Sequence, residues 1–253
     1  YPGTSGSDCI DYLIGDENVI PRNHRKYYSE EILYMPNSLQ CVDNTLKCEE
    51  KSFTRQELGF PEDCFIYCNF GRNLKITPQE FDIWMRLLLR TKNSYLWLLE
   101  SNSHSKRNLL QYAKSKDVEE SRIIFSKKID FKLHMSRQKC ADLYLDTFNY
   151  NSGFMTFLAL QTGLPVLTLT GKSFSSRIST SILKTLGINE LISLTKQEYE
   201  DKAFKICTNK LLFSKIKHQL LTSKVNSAYF DTELFTRDLE NKFKDLVINK
   251  DLF

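Results

Sequence analysis

No apolar run in this sequence reaches the roughly 18 residues that a membrane-spanning helix needs, which argues against a transmembrane helix within it. An excess of either charge is also lacking. Lys and Arg total 35 against 31 Asp and Glu, a net charge of +4 over 253 residues. That surplus is spread along the chain and forms no basic stripe for nucleic acid. Seven cysteines are scattered, an odd number, and no Cys-x-x-Cys or Cys/His cluster has zinc spacing. Cys64 and Cys68, the closest pair, lie inside an apolar run and read as buried free thiols of a reducing cytoplasm. The sequence has no G-x-S-x-G, H-E-x-x-H, G-x-x-x-x-G-K-[ST] or G-x-G-x-x-G. Hydrolase, metalloprotease, P-loop and standard dinucleotide readings lose weight accordingly. No signal peptide is visible, and the first residue, Tyr1, is not an initiator methionine, so the expectation is a chain whose start lies upstream.

What is present is an ordinary globular composition, 41% apolar and 26% charged, long enough for one large or two small domains. The most informative stretch is Ala141–Gly171. An alternating run, Ala141 to Thr147, reads as a buried strand. The polar turn Asn149-Tyr150-Asn151-Ser152-Gly153 follows, then an apolar helix from Phe154 to Thr162, then Gly163-Leu164-Pro165 and a second strand, Val166–Leu169. This is a βαβ unit, with its turn at the carboxyl end of a strand and the amino end of a helix. Free N–H groups and the helix dipole there favour an anion such as phosphate. A purely structural turn fits the same residues.

The remaining pattern predicts an α/β protein with a mostly parallel, Rossmann-like sheet covered on both faces. Cys9–Asp16 reads as a strand and Tyr27–Leu33 as a short helix closed by Pro36. These early pieces are too few to bury a core, and the polar stretch Asn44–Phe53 reads as a connector. Strands are expected at Cys64–Phe70, Ser94–Leu99, Arg122–Phe125 and Glu190–Ser193. Thr77-Pro78-Gln79-Glu80 is a helix start, with Phe81, Trp84, Leu87 and Leu88 on one buried face. Further helices are expected at Lys106–Ala113, Lys132–Lys139, Ser173–Leu186, Lys196–Cys207 and Leu211–Thr222. A last one, Asp231–Val247, is expected to turn Leu234, Leu239, Phe243 and Val247 towards a core.

Several residues can carry chemistry. Arg72 and Lys75 follow the first strand of the regular region and suit a diphosphate, or are two solvated charges. His134 and Arg137 share a helix face and suit a ribose or phosphate, or form an ordinary surface pair. Arg177, with Ser173, Ser175 and Ser176, marks either a phosphate-facing helix end or simple capping. Tyr1–Gly6 is a loop whose glycines permit close approach to a ligand.

These segments, in this order, resemble the catalytic region of glycosyltransferase family 41, the O-GlcNAc transferase and SPINDLY family. The markers are YPGTSG and DYLIGD (1–16), YSEEILYMP (28–36), GFPEDCFIYCNF with Lys75 (59–75), NSYLWLL (93–99) and RIIFS (122–126). His134-x-x-Arg137 with ADLYLDT, GLPVLTLTG, SSRISTSIL, and LGINELI with QEYE complete the series. The resemblance implies a GT-B fold of two Rossmann-like lobes. Residues 1–45 would be the tail of the first lobe, 54–230 the second, nucleotide-sugar-binding lobe, and 231–253 a C-terminal helix returning towards the first lobe. The rest of the first lobe and the tetratricopeptide repeats typical of the family would lie upstream of this chain.

The implied activity is metal-independent, inverting transfer of a sugar, GlcNAc from UDP-GlcNAc, to Ser or Thr of a protein in the cytoplasm. It calls for no cofactor, no nucleic acid and no membrane. Related alternatives are another donor (GDP-fucose or UDP-glucose), another acceptor such as Asn, or a degenerate non-catalytic binding module. By the resemblance, Lys75 is the catalytic lysine that neutralises the donor diphosphate, and Arg72 stands where glutamine is common. His134 and Arg137 match nucleotide-side residues, Pro2, Gly3 and Thr4 a loop beside the donor sugar, and Asn151 the start of the family's turn. Here that turn reads Asn151-Ser152-Gly153-Phe154-Met155-Thr156-Phe157-Leu158. The family's histidine and threonine hydroxyls are replaced, Leu158 replaces an acid that can hold ribose, and Phe131 replaces a base-contacting lysine. Backbone N–H groups at Gly153–Met155 remain to hold phosphate.

Overall fold

The computed structural model describes residues 3–250. A small parallel pair of strands, β1 (Tyr12–Gly15) and β2 (Glu31–Tyr34), comes first. The expected helix at Tyr27–Leu33 is not formed. A 3-10 turn spans Arg22–Tyr27 instead, and Ile32 and Leu33 pair with Leu13 and Ile14 of β1. Burial of Ile32 and Leu33 in this pairing overrides the helix-forming Glu30-Glu31 step. Val19, Ile20 and Ile32 form a cluster of their own, and Phe174, from far along the chain, packs on it.

The large sheet is wholly parallel, in the order β5-β4-β3-β6-β7-β8. Its strands are β3 (Phe65–Asn69), β4 (Ser94–Leu99), β5 (Ile123–Ser126), β6 (Leu143–Leu145), β7 (Val166–Leu169) and β8 (Ile192–Ser193). Helices α1 (Pro78–Arg90), α2 (Ser103–Lys114), α3 (Phe131–Gln138), α4 (Phe154–Gln161) and α5 (Ile178–Thr185) alternate with them. Then α6 (Lys196–Thr208), α7 (Lys210–Asn226) and α8 (Thr232–Lys250) close the chain. All residues of β6 and β7 are buried, as a strand covered on both faces requires. Trp97 on β4 packs edge-to-face against Phe60 and Phe70, with centroids 5.1 and 4.9 Å away. On α1, Phe81, Trp84, Leu87 and Leu88 are almost fully buried. Burial of such side chains contributes about 1.5–3 kcal/mol each.

Two other expectations change. The helix expected over Ser173–Leu186 is broken at Arg177, where φ is −126°, into a 3-10 turn and α5. Hydroxyl contacts within Ser173–Ser176 compete with a regular helix start there. The last helix forms, but Phe243 is 48% and Val247 61% exposed. Leu234 and Leu239 are half-buried, so α8 leaves the body of the lobe after its first turns. The polar connector after Asn44 lies along the large lobe. Gln161 Nε2 donates to Leu46 O at 3.0 Å, and Ser136 Oγ to Glu49 O at 2.9 Å. All seven cysteines are free.

Candidate functional site

The chain builds the large sheet outward from β3 through β4 to β5, then crosses back to lay β6 on the other side of β3. The loops leaving β3 and β6 therefore diverge to opposite faces, and a crevice opens at their carboxyl ends. Asn69 ties the two strands there. Its Nδ2 donates to Leu145 O at 2.7 Å, and its Oδ1 accepts Gly71 N–H at 2.9 Å. The two loops nearly touch at Gly71. A Cβ there would lie 3.0 Å from Asn69 Oδ1 and 3.4 Å from Ser152 Oγ. The loop ends in a 3-10 turn, Asn73–Lys75, that delivers Lys75 to the opposite turn. Lys75 Nζ donates to the Asn151 carbonyl at 3.1 Å and lies 4.1 Å from the centroid of the Tyr150 ring. Burial lowers the Lys75 pKa, buried Asp146 pulls it back up, and Arg72 nearby lowers it further.

The Asn149–Gly153 turn is held from below. Asp146 is fully buried, and its Oδ1 accepts the Thr147 and Ser152 N–H groups at 3.0 and 2.8 Å. Its Oδ2 accepts from Thr168 at 2.9 Å. Burial raises the pKa of this carboxyl, and the hydrogen bonds act against the rise. Tyr144 donates to Ser152 Oγ at 3.0 Å. Asn151 is buried, with Nδ2 on Thr147 O and Oδ1 accepting Ser179 N–H. The side chains of Asn151 and Ser152 thus shape the turn from inside it. Glu80 completes the support: it receives Thr77 N–H at the start of α1 and Phe148 N–H, both at 2.7 Å.

Gly153 has φ +40° and opens α4. Of the three amides expected to face a phosphate, that of Met155 is taken by Ser152 O at 2.8 Å. The Gly153 and Phe154 N–H groups stand at the helix start, where no earlier helical carbonyl is in reach.

Two cavities flank this turn. The first, of about 200 Å³, is lined by His134, Arg137, Phe131, Phe154, Met155 and Leu158, among others. His134 and Arg137 are not a surface pair. They are 9% and 4% exposed, and Arg137 Nε donates to His134 Nδ1 at 3.0 Å. Accepting at Nδ1 leaves the neutral imidazole its proton on Nε2. Burial, then the neighbouring guanidinium, pushes the His134 pKa down to about 4. Arg137 Nη2 is buried with no hydrogen-bond partner in the protein, as a cation awaiting an acceptor would be. Phe131 and Phe154 stack with centroids 6.0 Å apart and planes 19° from parallel.

The second cavity, of about 580 Å³, lies between the small sheet and the large lobe, lined by Gly3, Thr4, Ser5, Glu30, Tyr150 and Ile178, among others. Glu30 is buried and holds the loop that forms its wall. It accepts Thr4 Oγ1 at 2.6 Å and also receives the Ser5 N–H. These bonds draw the Glu30 pKa down to about 2.

Gly3 and Thr4 thus share a cavity with Tyr150, whose ring touches Lys75, and His134 and Arg137 share one with Phe154 and Met155. Arg72 is exposed beside Lys75. Pro2 lies outside the described residues. Arg177 does not face the crevice as a free cation: Nε donates to Asn18 O at 2.6 Å and Nη1 to Gly171 O at 3.0 Å, joining the small unit to the large lobe. Sequence reasoning passed over Glu30, Glu80 and Asp146. Only Glu80 left a local signal, the Thr77–Glu80 capping box, and that box does not reveal its reach to Phe148.

The model of the family Glycosyl transferase family 41 matches residues 46–239. A protein of Arabidopsis thaliana, named "Probable UDP-N-acetylglucosamine--peptide N-acetylglucosaminyltransferase SEC", is 30% identical over 249 residues, 96% of this chain and 26% of that protein. The UDP-N-acetylglucosamine--peptide N-acetylglucosaminyltransferase of Caenorhabditis elegans is 30% identical over 188 residues, 74% of this chain and 16% of that protein. This chain therefore spans about a quarter or less of these relatives. An O-GlcNAc transferase of Thermobaculum terrenum has the same fold, with a TM-score of 0.85 at 23% identity, covering 97% of this chain and 46% of that one. The match over residues 46–239, together with the parallel lobe and its crevice, shows that this chain belongs to glycosyltransferase family 41, the family of O-GlcNAc transferase and SPINDLY, with a GT-B-type α/β fold.

Proposed function

We propose that the chain is the donor-binding part of a glycosyltransferase that moves GlcNAc from UDP-GlcNAc to Ser or Thr of a protein, with inversion and without a metal. The observation that carries this reading is the position of Lys75, on the Asn151 carbonyl at the mouth of the β3/β6 crevice. A donor diphosphate on this turn meets the Lys75 ammonium and the Gly153 and Phe154 N–H groups. The nucleoside enters the smaller cavity beside Arg137, and the sugar enters the larger one beside Gly3 and Thr4. As the sugar bond breaks, the leaving nucleotide gains negative charge, and a fixed cation stabilises it most at that moment. The names of the Arabidopsis and Caenorhabditis relatives support this donor and a protein acceptor. The acceptor side belongs to the first lobe and to tetratricopeptide repeats upstream of this chain, with residues 1–45 as that lobe's tail, 54–230 the donor lobe and 231–253 its returning helix. The free cysteines suit a cytoplasmic setting.

The test is calorimetric titration of the chain with UDP and, separately, GDP, beside Lys75→Ala. Binding of UDP that weakens about tenfold or more in the variant supports the reading. Preference for GDP moves the donor to a class such as GDP-fucose. UDP-glucose competing better than UDP-GlcNAc changes the sugar alone. A second reading, a non-catalytic binding module, is favoured by the smaller cavity, where Phe131, Phe154, Met155 and Leu158 present no carboxylate or hydroxyl to a ribose. It predicts no heat with either nucleotide at millimolar concentration.

A further inference from the structure

Tyr150 is 42% exposed, yet the turn that carries it is fixed on both sides. Its own carbonyl accepts from Thr147 Oγ1 at 2.7 Å, the Asn149 carbonyl accepts from Ser175 Oγ at 3.0 Å, and Asn151 N–H is held by Ser175 O at 2.8 Å. The pinned backbone fixes where the side chain leaves the turn, and contacts of the ring itself settle its place beyond that. One side of the ring meets the Lys75 ammonium, at 4.1 Å from the centroid, within range of a cation–π contact. Elsewhere the ring helps wall the larger cavity, which the Gly3–Ser5 loop secured by Glu30 also lines. Lys75 has a flexible four-carbon stem, and the Asn151 carbonyl alone fixes one donor of three. The ring supplies a second restraint from another direction.

We propose that Tyr150 is a positioning residue that holds the Lys75 ammonium at the mouth of the turn, so that an incoming diphosphate meets a cation already in place. This rests on the donor-site reading above for its ligand, but its first half concerns the free protein alone. It requires the ring, not the phenol hydroxyl, so phenylalanine should serve and leucine should not.

The experiment has two arms on the full 253-residue chain. In the first, NMR of the ligand-free protein reads the Lys75 Cε-bound protons, identified by their loss in Lys75→Arg. Ring current should displace them upfield in the wild type and in Tyr150→Phe, and the displacement should vanish in Tyr150→Leu. In the second, titration with UDP should show affinity about 2- to 5-fold weaker in Tyr150→Leu, the range expected of an exposed cation–π contact, and restored in Tyr150→Phe. Absence of the upfield displacement in the wild type overturns the proposal. So does an unchanged or tighter UDP affinity in Tyr150→Leu, because the ring would then be idle or in competition with the ligand. If the displacement is present but the wild type binds no UDP, the donor-site reading fails and takes the ligand half of the proposal with it. The intact first arm separates that outcome from failure of the ring–lysine contact.

Discussion

Arg137 donates its Nε–H to Nδ1 of His134 at 3.0 Å inside the lobe, so a cation and an imidazole three residues apart on α3 share one buried hydrogen bond. The geometry requires a neutral histidine, and the pKa of about 4 agrees with it. In the unfolded chain the same imidazole takes a proton near pH 6.5. This contribution is therefore fully favourable above about pH 6.5 and declines as pH falls towards 4, where the folded protein also binds the proton. At pH 5 the loss relative to pH 7.5 is about 2 kcal/mol. Asp142 and Asp146, whose folded pKa values are raised, act in the opposite sense as pH falls, so the wild type alone does not isolate the effect. Urea unfolding at both pH values, for wild type and His134→Gln, should show that the variant lacks this part of the pH slope.

Glu80 joins two elements that are 68 residues apart in sequence, α1 and the turn after β6. Glu80→Ala removes a helix cap worth about 1 kcal/mol. It also leaves the buried Phe148 N–H without an acceptor, at about 1–3 kcal/mol. The expected loss is about 2–4 kcal/mol in urea unfolding. Glu80→Gln should recover part of it, since the amide oxygen can still accept one of the two N–H groups.

Lys75→Ala should weaken UDP binding by about 1.5–3 kcal/mol, the scale of one charge-assisted hydrogen bond. It should also lower the unfolding free energy, by about 1–3 kcal/mol, because Lys75 is half-buried and the carbonyl it leaves without a donor belongs to the buried Asn151. Lys75→Arg tests shape against charge. A planar guanidinium does not replace a point charge on the Asn151 carbonyl, so affinity should fall even though the charge is kept.

Gly71→Ala separates site geometry from overall folding. The new methyl would sit 3.0 Å from Asn69 Oδ1, and Asn69 is anchored by its own bonds to Leu145 O and Gly71 N–H. Relief requires the β3 loop to move away from Ser152. Destabilisation of about 1–3 kcal/mol is expected, together with a disproportionate loss of UDP affinity, measured by unfolding and calorimetry on the same preparation.

The sheet strands were legible in the sequence where both faces are covered. Val166–Leu169 and Ser94–Leu99 are found at the expected bounds, because continuous apolar runs leave few other registers. The Thr77 helix start was legible because cap, proline and acid act locally. The Tyr27–Leu33 segment was misread because its partner, β1, supplies the deciding contact from outside the local window. Burial of His134 and Arg137 was hidden for a related reason. Polar side chains in a short helix read as solvated unless one knows that Trp97 and Phe70 pack around them, with the Arg137 Cζ 6.0 Å from the Trp97 ring and His134 centred 4.8 Å from Phe70. The candidate residues could be chosen individually from the sequence. Their division between two cavities, and the Lys75–Tyr150 contact, depend on β3 and β6 meeting across a long interval of chain.

That meeting sets an order of events during synthesis. The Asn69–Leu145 bond closes over 76 residues, and β4 and β5 are made before β6 exists. As the chain leaves the ribosome, β3 can pair on one side with β4, while its other edge stays open until residues 143–145 emerge. A parallel, aromatic-rich strand with an unpaired edge is a site for association with other nascent chains. The strand that anchors the crevice in the finished lobe is thus the one that needs protection for longest, and slowing translation between β5 and β6 should raise the demand for chaperones.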